Sequence, residues 1–130
     1  MKRQSETWDY EQDVPDQAEL DRIIRAALAE DIGDGDVTTE NTIPEDSQLT
    51  GRFLAKEGGV VAGTEVARRT FELLDGRTSF HVLTGDGRRV KRGQVLATVT
   101  GPGRAILSGE RVALNFLQRM SGIATAARRY

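Results

Sequence analysis

The segment from Leu107 to Thr125, LSGERVALNFLQRMSGIAT, constrains the fold more than any other stretch of the chain. Stepping 100° per residue, as an α-helix requires, gathers Leu114, Leu117, Ala113, Met120 and Phe116 into one wide apolar arc. Ser108, Arg111, Asn115, Gln118 and Arg119 take the remaining side, which holds two cations and no acid. The arc is wider than a helix lying on one surface requires, so cover from a second body, another domain or another chain, is expected. Glu110 falls between Leu114 and Leu117 on the wheel. An unpaired buried carboxylate costs on the order of several kcal/mol, so a basic residue or backbone N–H groups should stand beside it. Arg111 presents a planar fork suited to a carboxylate or phosphate. Spacing alone leaves two readings open, an anion site and an ordinary solvated helix face.

The rest of the chain supplies what this helix packs on. Residues 1–15 are charged and aperiodic and are expected to form a flexible tail. Asp16 can cap a following helix, with Glu19 as reciprocal partner, and Leu20, Ile23, Ile24, Ala27 and Leu28 then form an apolar stripe. Gly33 should stop that helix. The acidic stretch EDIGDGDVTT crowds Glu30, Asp31, Asp34 and Asp36 but lacks the ligand order of a calcium loop, so a hydrogen-bonded turn is expected.

From Leu49 the pattern turns strand-like, with Gly58–Gly59 and Gly63 breaking LTGRFLAKEGGVVAG into short runs. GTEVARRTFELLDG reads as a helix with Val66, Ala67, Thr70, Phe71 and Leu74 on one side, ended by Gly76. TSFHVL is a strand, and His81 is a strand residue within it. In GDGRRVKRGQVLATVTGPG, Asp86–Gly87 and Arg92–Gly93 mark turns around Val90 and the run Val95–Val99. Helix, strands, helix, strands, helix is the order of a small α+β unit.

Composition narrows the function classes. The chain has 130 residues, enough for one domain with a core. Its net charge of −2 and seven aromatic residues (one Trp, two Tyr, four Phe) argue against nucleic-acid binding. No apolar run is long enough to span a bilayer, and the polar N-terminus does not resemble a signal peptide. One histidine and no cysteine leave no transition-metal site and fit a cytoplasmic protein.

EDIGDGDVTT, KEGGVVAG, GDGRRVKRGQVLATVTG and ERVALNFLQRMSGIAT, in that order, resemble the N-terminal part of the quinolinate phosphoribosyltransferases, also called carboxylating nicotinate-nucleotide pyrophosphorylases. The resemblance runs from about Leu20 to the last residue; a related molybdenum-transport-associated family shares the architecture. It implies an α/β-hammerhead-like open sandwich, a small antiparallel sheet with helices, over residues 16–118. Residues 119–130 would begin an α/β barrel that is otherwise missing.

It further implies an enzyme that makes nicotinate mononucleotide, carbon dioxide and pyrophosphate from quinolinate and phosphoribosyl pyrophosphate in NAD biosynthesis. Magnesium (Mg2+) would be bound by the barrel. In a homodimer or higher homo-oligomer, the N-terminal part of one subunit would close over the barrel of the other, and Arg111 would reach a quinolinate carboxylate across that interface. The barrel's own basic motifs are not in this sequence, so the chain alone is expected to be inactive, and no catalytic residue or metal ligand is assigned within it. Residues from about Ser121 onward would then lack their packing, and the uncovered arc would make the chain self-associate.

Two other readings compete. V-x-x-G-x-x-L after a glycine-rich turn also resembles biotinyl and lipoyl carrier domains, but Lys56 in AKEG and Lys91 in VKRG have the wrong context for a modified lysine. A non-enzymatic interaction domain, pairing with a separate barrel chain, is the second.

Overall fold

The computed structural model describes residues 16–42, with side chains as far as residue 31, and residues 46–128. The expected tail at 1–15 lies outside the described residues. The elements are α1 (Gln17–Thr42), β1 (Gln48–Leu54), β2 (Gly59–Val60), α2 (Thr64–Leu74), β3 (Ser79–Val82), β4 (Arg89–Val90), β5 (Val95–Pro102) and α3 (Gly103–Arg128). This is the expected α+β order. The main sheet is antiparallel with strand order β1-β5-β3, and β2 pairs with β4 in a separate ribbon.

Alternation along the strands makes the sheet two-faced, apart from a break where adjacent Leu96 and Ala97 are both buried. Phe53, Phe80, Ala97 and Val99 point inward and are buried. Thr50 pairs with Thr100, and Arg52 and His81 both flank Thr98, on the opposite, polar face. The helices cover the apolar face. Phe71 of α2 completes a triad with Phe53 and Phe80 whose ring centroids stand 6.0 Å apart in every pair. Ile106, Ala113 and Leu117 of α3 close the cluster. The open sandwich expected from the sequence is therefore what forms.

Two glycines permit the helix packing. Gly63 begins α2 with φ 96°, a left-handed conformation that favours glycine. Its N–H and that of Thr64 donate to the Asp86 carboxylate at 3.2 and 3.1 Å, and the Thr64 hydroxyl adds a bond of 2.7 Å. An acid at a helix N-terminus also meets the positive end of the helix dipole. Gly109 lies where α3 crosses α2. A Cβ there would stand 2.7 Å from Leu74 Cδ1 and 2.8 Å from Phe71 Cε1.

Several expectations are corrected. Helix α1 does not stop at Gly33 but continues to Thr42, so the acidic stretch is helical rather than a turn. Each glycine inside a helix costs only about 1 kcal/mol relative to alanine, which does not by itself end one. Ile23 is 44% exposed and leaves the α1 stripe, while Ile24 and Leu28 are buried.

The arc on α3 is covered within the chain from two sides. Leu114 packs toward the sheet cluster and Phe116 toward α1, so no outside cover is required for most of it. Ser108 is buried, and Gln118 is half-buried with its Nε2 unpartnered among the described residues, so neither belongs to the wet face. Glu110 is half-buried, with Oε2 over Gly51, 3.2 Å from where a Cβ would lie. The expected cation or N–H partner is not found among the described residues. Its partial exposure leaves water to solvate the carboxylate.

Nor is the end of α3 loose. The Ser121 hydroxyl accepts from Ala62 N–H at 3.0 Å and donates to Ala62 O at 3.1 Å. Thr125 Oγ1 accepts from Val60 N–H at 2.8 Å and donates to Ser121 O at 2.7 Å. These two hydroxyls stand where a neighbouring strand would bond to the β2 segment, and α3 runs unbroken from Gly103 to Arg128. A small-residue pair at i, i+4 was the sequence signal for this docking.

Candidate functional site

Helix α1 is laid against α2 and α3 by a narrow apolar seam. Ile24 and Leu28 meet Val112 of α3, with Leu20, Ala27, Val66, Leu74 and Phe116 partly buried around them. A two-pronged ion pair sets how far along α2 the helix sits. Arg69 donates from Nε to Asp21 Oδ1 and from Nη2 to Asp21 Oδ2, both at 2.8 Å. Parallel N–H···O bonds of this kind add directional specificity to charge. The hydrogen bonds from Arg69 hold the Asp21 carboxyl down at about 2, well below its usual range.

Fixed in this way, α1 carries Asp31 about 15 Å beyond Asp21, given a rise of roughly 1.5 Å per residue. That position lies beside Arg111. Arg111 Nη1 donates to Asp31 Oδ1 at 3.2 Å, the Arg111 side chain being 77% exposed and that of Asp31 23%. The bond is longer than the roughly 2.7–2.9 Å usual for a charge-assisted pair, and exposed pairs contribute only about 0–1 kcal/mol. Among the described residues, Arg111 Nε and Nη2 have no partner.

A groove of about 300 Å3 opens here, between Ala27, Glu30 and Asp31 of α1 and Arg111, Asn115 and Arg119 of α3. Arg111, Asn115 and Arg119 are all exposed and follow one another at four-residue intervals along one face. Of the face expected from the sequence, Arg111, Asn115 and Arg119 are exposed, whereas Ser108 and Gln118 are not. The sequence reading missed the acids opposite, because Asp31 arrives from an element eighty positions away. A helix ending at Gly33 already includes Asp31; what the sequence does not contain is the packing of α1 against α2 and α3 that brings Asp31 to Arg111.

A larger cavity, about 480 Å3, lies on another flank of α3 between Leu54, Val60, Val90, Leu114, Gln118 and Thr125. Its walls mix apolar and polar groups about evenly, with Lys56 and Glu57 on its lining. For recognition of an anion the smaller groove is the better candidate, since two arginines converge on it. Among the described residues, no group of three or more His, Cys, Asp or Glu side chains could hold a metal ion. No helix among them is long and apolar enough to cross a membrane.

Comparison with known proteins places this geometry. Residues 36–121 match the family described as "Quinolinate phosphoribosyl transferase, N-terminal domain". A probable carboxylating nicotinate-nucleotide pyrophosphorylase of Synechocystis is 44% identical over 111 residues, covering 85% of this chain and 37% of its own length. A chloroplastic carboxylating nicotinate-nucleotide pyrophosphorylase of Arabidopsis thaliana is 46% identical over 108 residues, covering 82% of this chain and 31% of its own.

Among solved structures, NadC from Streptococcus pyogenes superimposes with a TM-score of 0.79 at 37% identity, over 86% of this chain and 41% of that one. The chain thus spans between about 31% and 41% of the length of such relatives. No carrier domain is implied by these matches. With a matching sequence profile, close relatives and the same sandwich, the chain belongs to the quinolinate phosphoribosyltransferase family, of which it carries the N-terminal domain.

Proposed function

We propose that this domain serves a complete enzyme converting quinolinate and phosphoribosyl pyrophosphate to nicotinate mononucleotide, carbon dioxide and pyrophosphate, and that Arg111 binds a quinolinate carboxylate. The observation that carries the reading is the 77% exposed guanidinium at the rim of a groove, whose Nε–Nη2 edge has no partner among the described residues. Quinolinate is a dianion and reacts beside a pyrophosphate ester, so its pocket must supply several cations. The ribose carbon becomes oxocarbenium-like as pyrophosphate departs. Such a reaction depends on orientation and charge compensation more than on a protein nucleophile. Within this chain, the contribution of Arg111 is to orient the ring by one carboxylate.

The remaining anion-binding groups belong to a barrel domain of the kind beginning at residues 119–130, supplied by a second subunit in a homodimer or larger homo-oligomer. Magnesium would be held by that barrel together with the phosphate groups of the substrate. The proposed location is the cytoplasm, where anionic nucleotide precursors are pooled.

The test is a hybrid enzyme in which this chain replaces the matching portion of the Streptococcus pyogenes protein. The hybrid should turn over quinolinate. Arg111→Ala should raise the quinolinate KM by about tenfold or more, the scale of a lost charge-assisted pair, while changing folding stability by less than about 1 kcal/mol. Arg111→Lys should fall between, keeping charge and losing the fork. Unchanged kinetics in both variants would remove Arg111 from the site. Persistent inactivity of the hybrid, with the domain folded, would favour the non-enzymatic interaction domain.

A further inference from the structure

Resting on the reading that Arg111 receives a substrate carboxylate, we infer that Asp31 is a positioning residue: it pins Arg111 through Nη1 and leaves the Nε–Nη2 edge free for two-pronged capture. A guanidinium has five N–H groups on three nitrogens, and Nε with Nη2 forms a side-on fork. Asp31 engages only Nη1. An incoming carboxylate can therefore take the fork without displacing Asp31.

The pin has a firm base. Asp31 is mostly covered, and its helix is fixed by Ile24, Leu28 and the Asp21–Arg69 pair. Arg111 is mostly in solvent, where an unheld side chain samples many rotamers and must lose that freedom when ligand binds. Holding it beforehand removes part of that loss.

The opposite role is a competitor, in which the negative charge of Asp31 occupies Arg111 until substrate expels it. A single long bond through one nitrogen, with the fork left open, argues for the pin. The two roles predict opposite effects of shortening Asp31. They also separate charge from bonding, because asparagine keeps an acceptor oxygen and loses the charge.

The experiment is arginine-side-chain NMR of the hybrid enzyme described above, in which the barrel completes the pocket, titrated with quinolinate. In the wild type, the Arg111 Nε–Hε resonance should move on titration. Asp31→Ala should weaken quinolinate binding about three- to tenfold, the scale of one immobilised side chain. Asp31→Asn should bind within about twofold of wild type, because its amide oxygen still accepts from Nη1. In an Arg111→Lys background, which lacks the fork, Asp31→Ala should have no further effect.

A second measurement requires no variant to fold. Relaxation of the unsubstituted hybrid should give Arg111 Nε–Hε a higher order parameter than Arg119, which is exposed on the same face and has no ion pair among the described residues. Equal order parameters, or an Asp31→Ala hybrid that binds as tightly as wild type or more tightly, overturn the pin and leave the Arg111 reading intact. An Arg111 resonance that quinolinate never moves overturns both.

Discussion

The molecule has two apolar centres, and they are built differently. Between the sheet and helices α2 and α3, nine further buried residues surround the phenylalanine triad. Between α1 and its neighbours, the buried cluster among the described residues is Ile24, Leu28 and Val112, with a fringe of partly buried side chains. The first centre is held by packing from every direction. The second relies on a narrow seam assisted by the Asp21–Arg69 fork. The candidate groove lies along the second, with one wall from α3 and the other from the part of α1 that the seam and the fork hold in place.

The sharpest way to break this contrast is to remove one large side chain from each centre. Phe71→Ala should cost about 3–5 kcal/mol, since the ring touches both Phe53 and Phe80 and backs the α2–α3 crossing. Denaturant melts should show the loss in every probe at once. Ile24→Ala should cost less, about 2–4 kcal/mol. Its effect should be regional, with hydrogen exchange accelerating in α1 while β1, β5 and β3 keep their protection. Equal acceleration in the sheet would show that the two centres unfold as one unit.

Acid should produce the smallest effect, and again mainly at the seam. The Asp21 carboxyl is held at about 2 against an ordinary 3.8, so its pairing stabilises the fold in full above the ordinary value. That stabilisation is lost as pH falls from about 5 toward about 2, when the carboxylate is protonated. Thermal melts across this interval should decline in the wild type and decline less steeply in Asp21→Asn. A residual acid dependence should survive in the variant, because Arg77 holds Asp75 at about 2 as well. Identical slopes in both proteins would mean that Asp21 does not fix α1.

How much of this was legible in the sequence follows the same division. Strand alternation around Phe53 and Val99, and helical spacing of Ala67, Thr70 and Phe71, are local signals, and the strongly packed centre obeys them. The cationic face of α3 was legible for the same reason, and Arg111, Asn115 and Arg119 are indeed exposed.

What could not be read depends on contacts between distant elements. Periodicity assigned Ile23 to the core, but the angle at which α1 crosses its partners leaves it 44% exposed. The wheel placed Ser108 in water, whereas it is 8% exposed. Because its neighbours on the wheel are apolar, Glu110 is expected to need a basic residue or backbone N–H groups. Gly51, from another element, leaves room above the strand that no helical projection contains. Likewise, the acid that meets Arg111 had to wait for α1 to be placed.

One feature of α3 limits how the gene can vary. The same uninterrupted rod displays Arg111 to the groove and, ten residues later, seats Ser121 against Ala62. Deleting a single codon between them would turn everything beyond it by about 100°. Either the hydroxyl clasp or the guanidinium would then face the wrong way. Substitutions can accumulate in that interval; changes of length cannot.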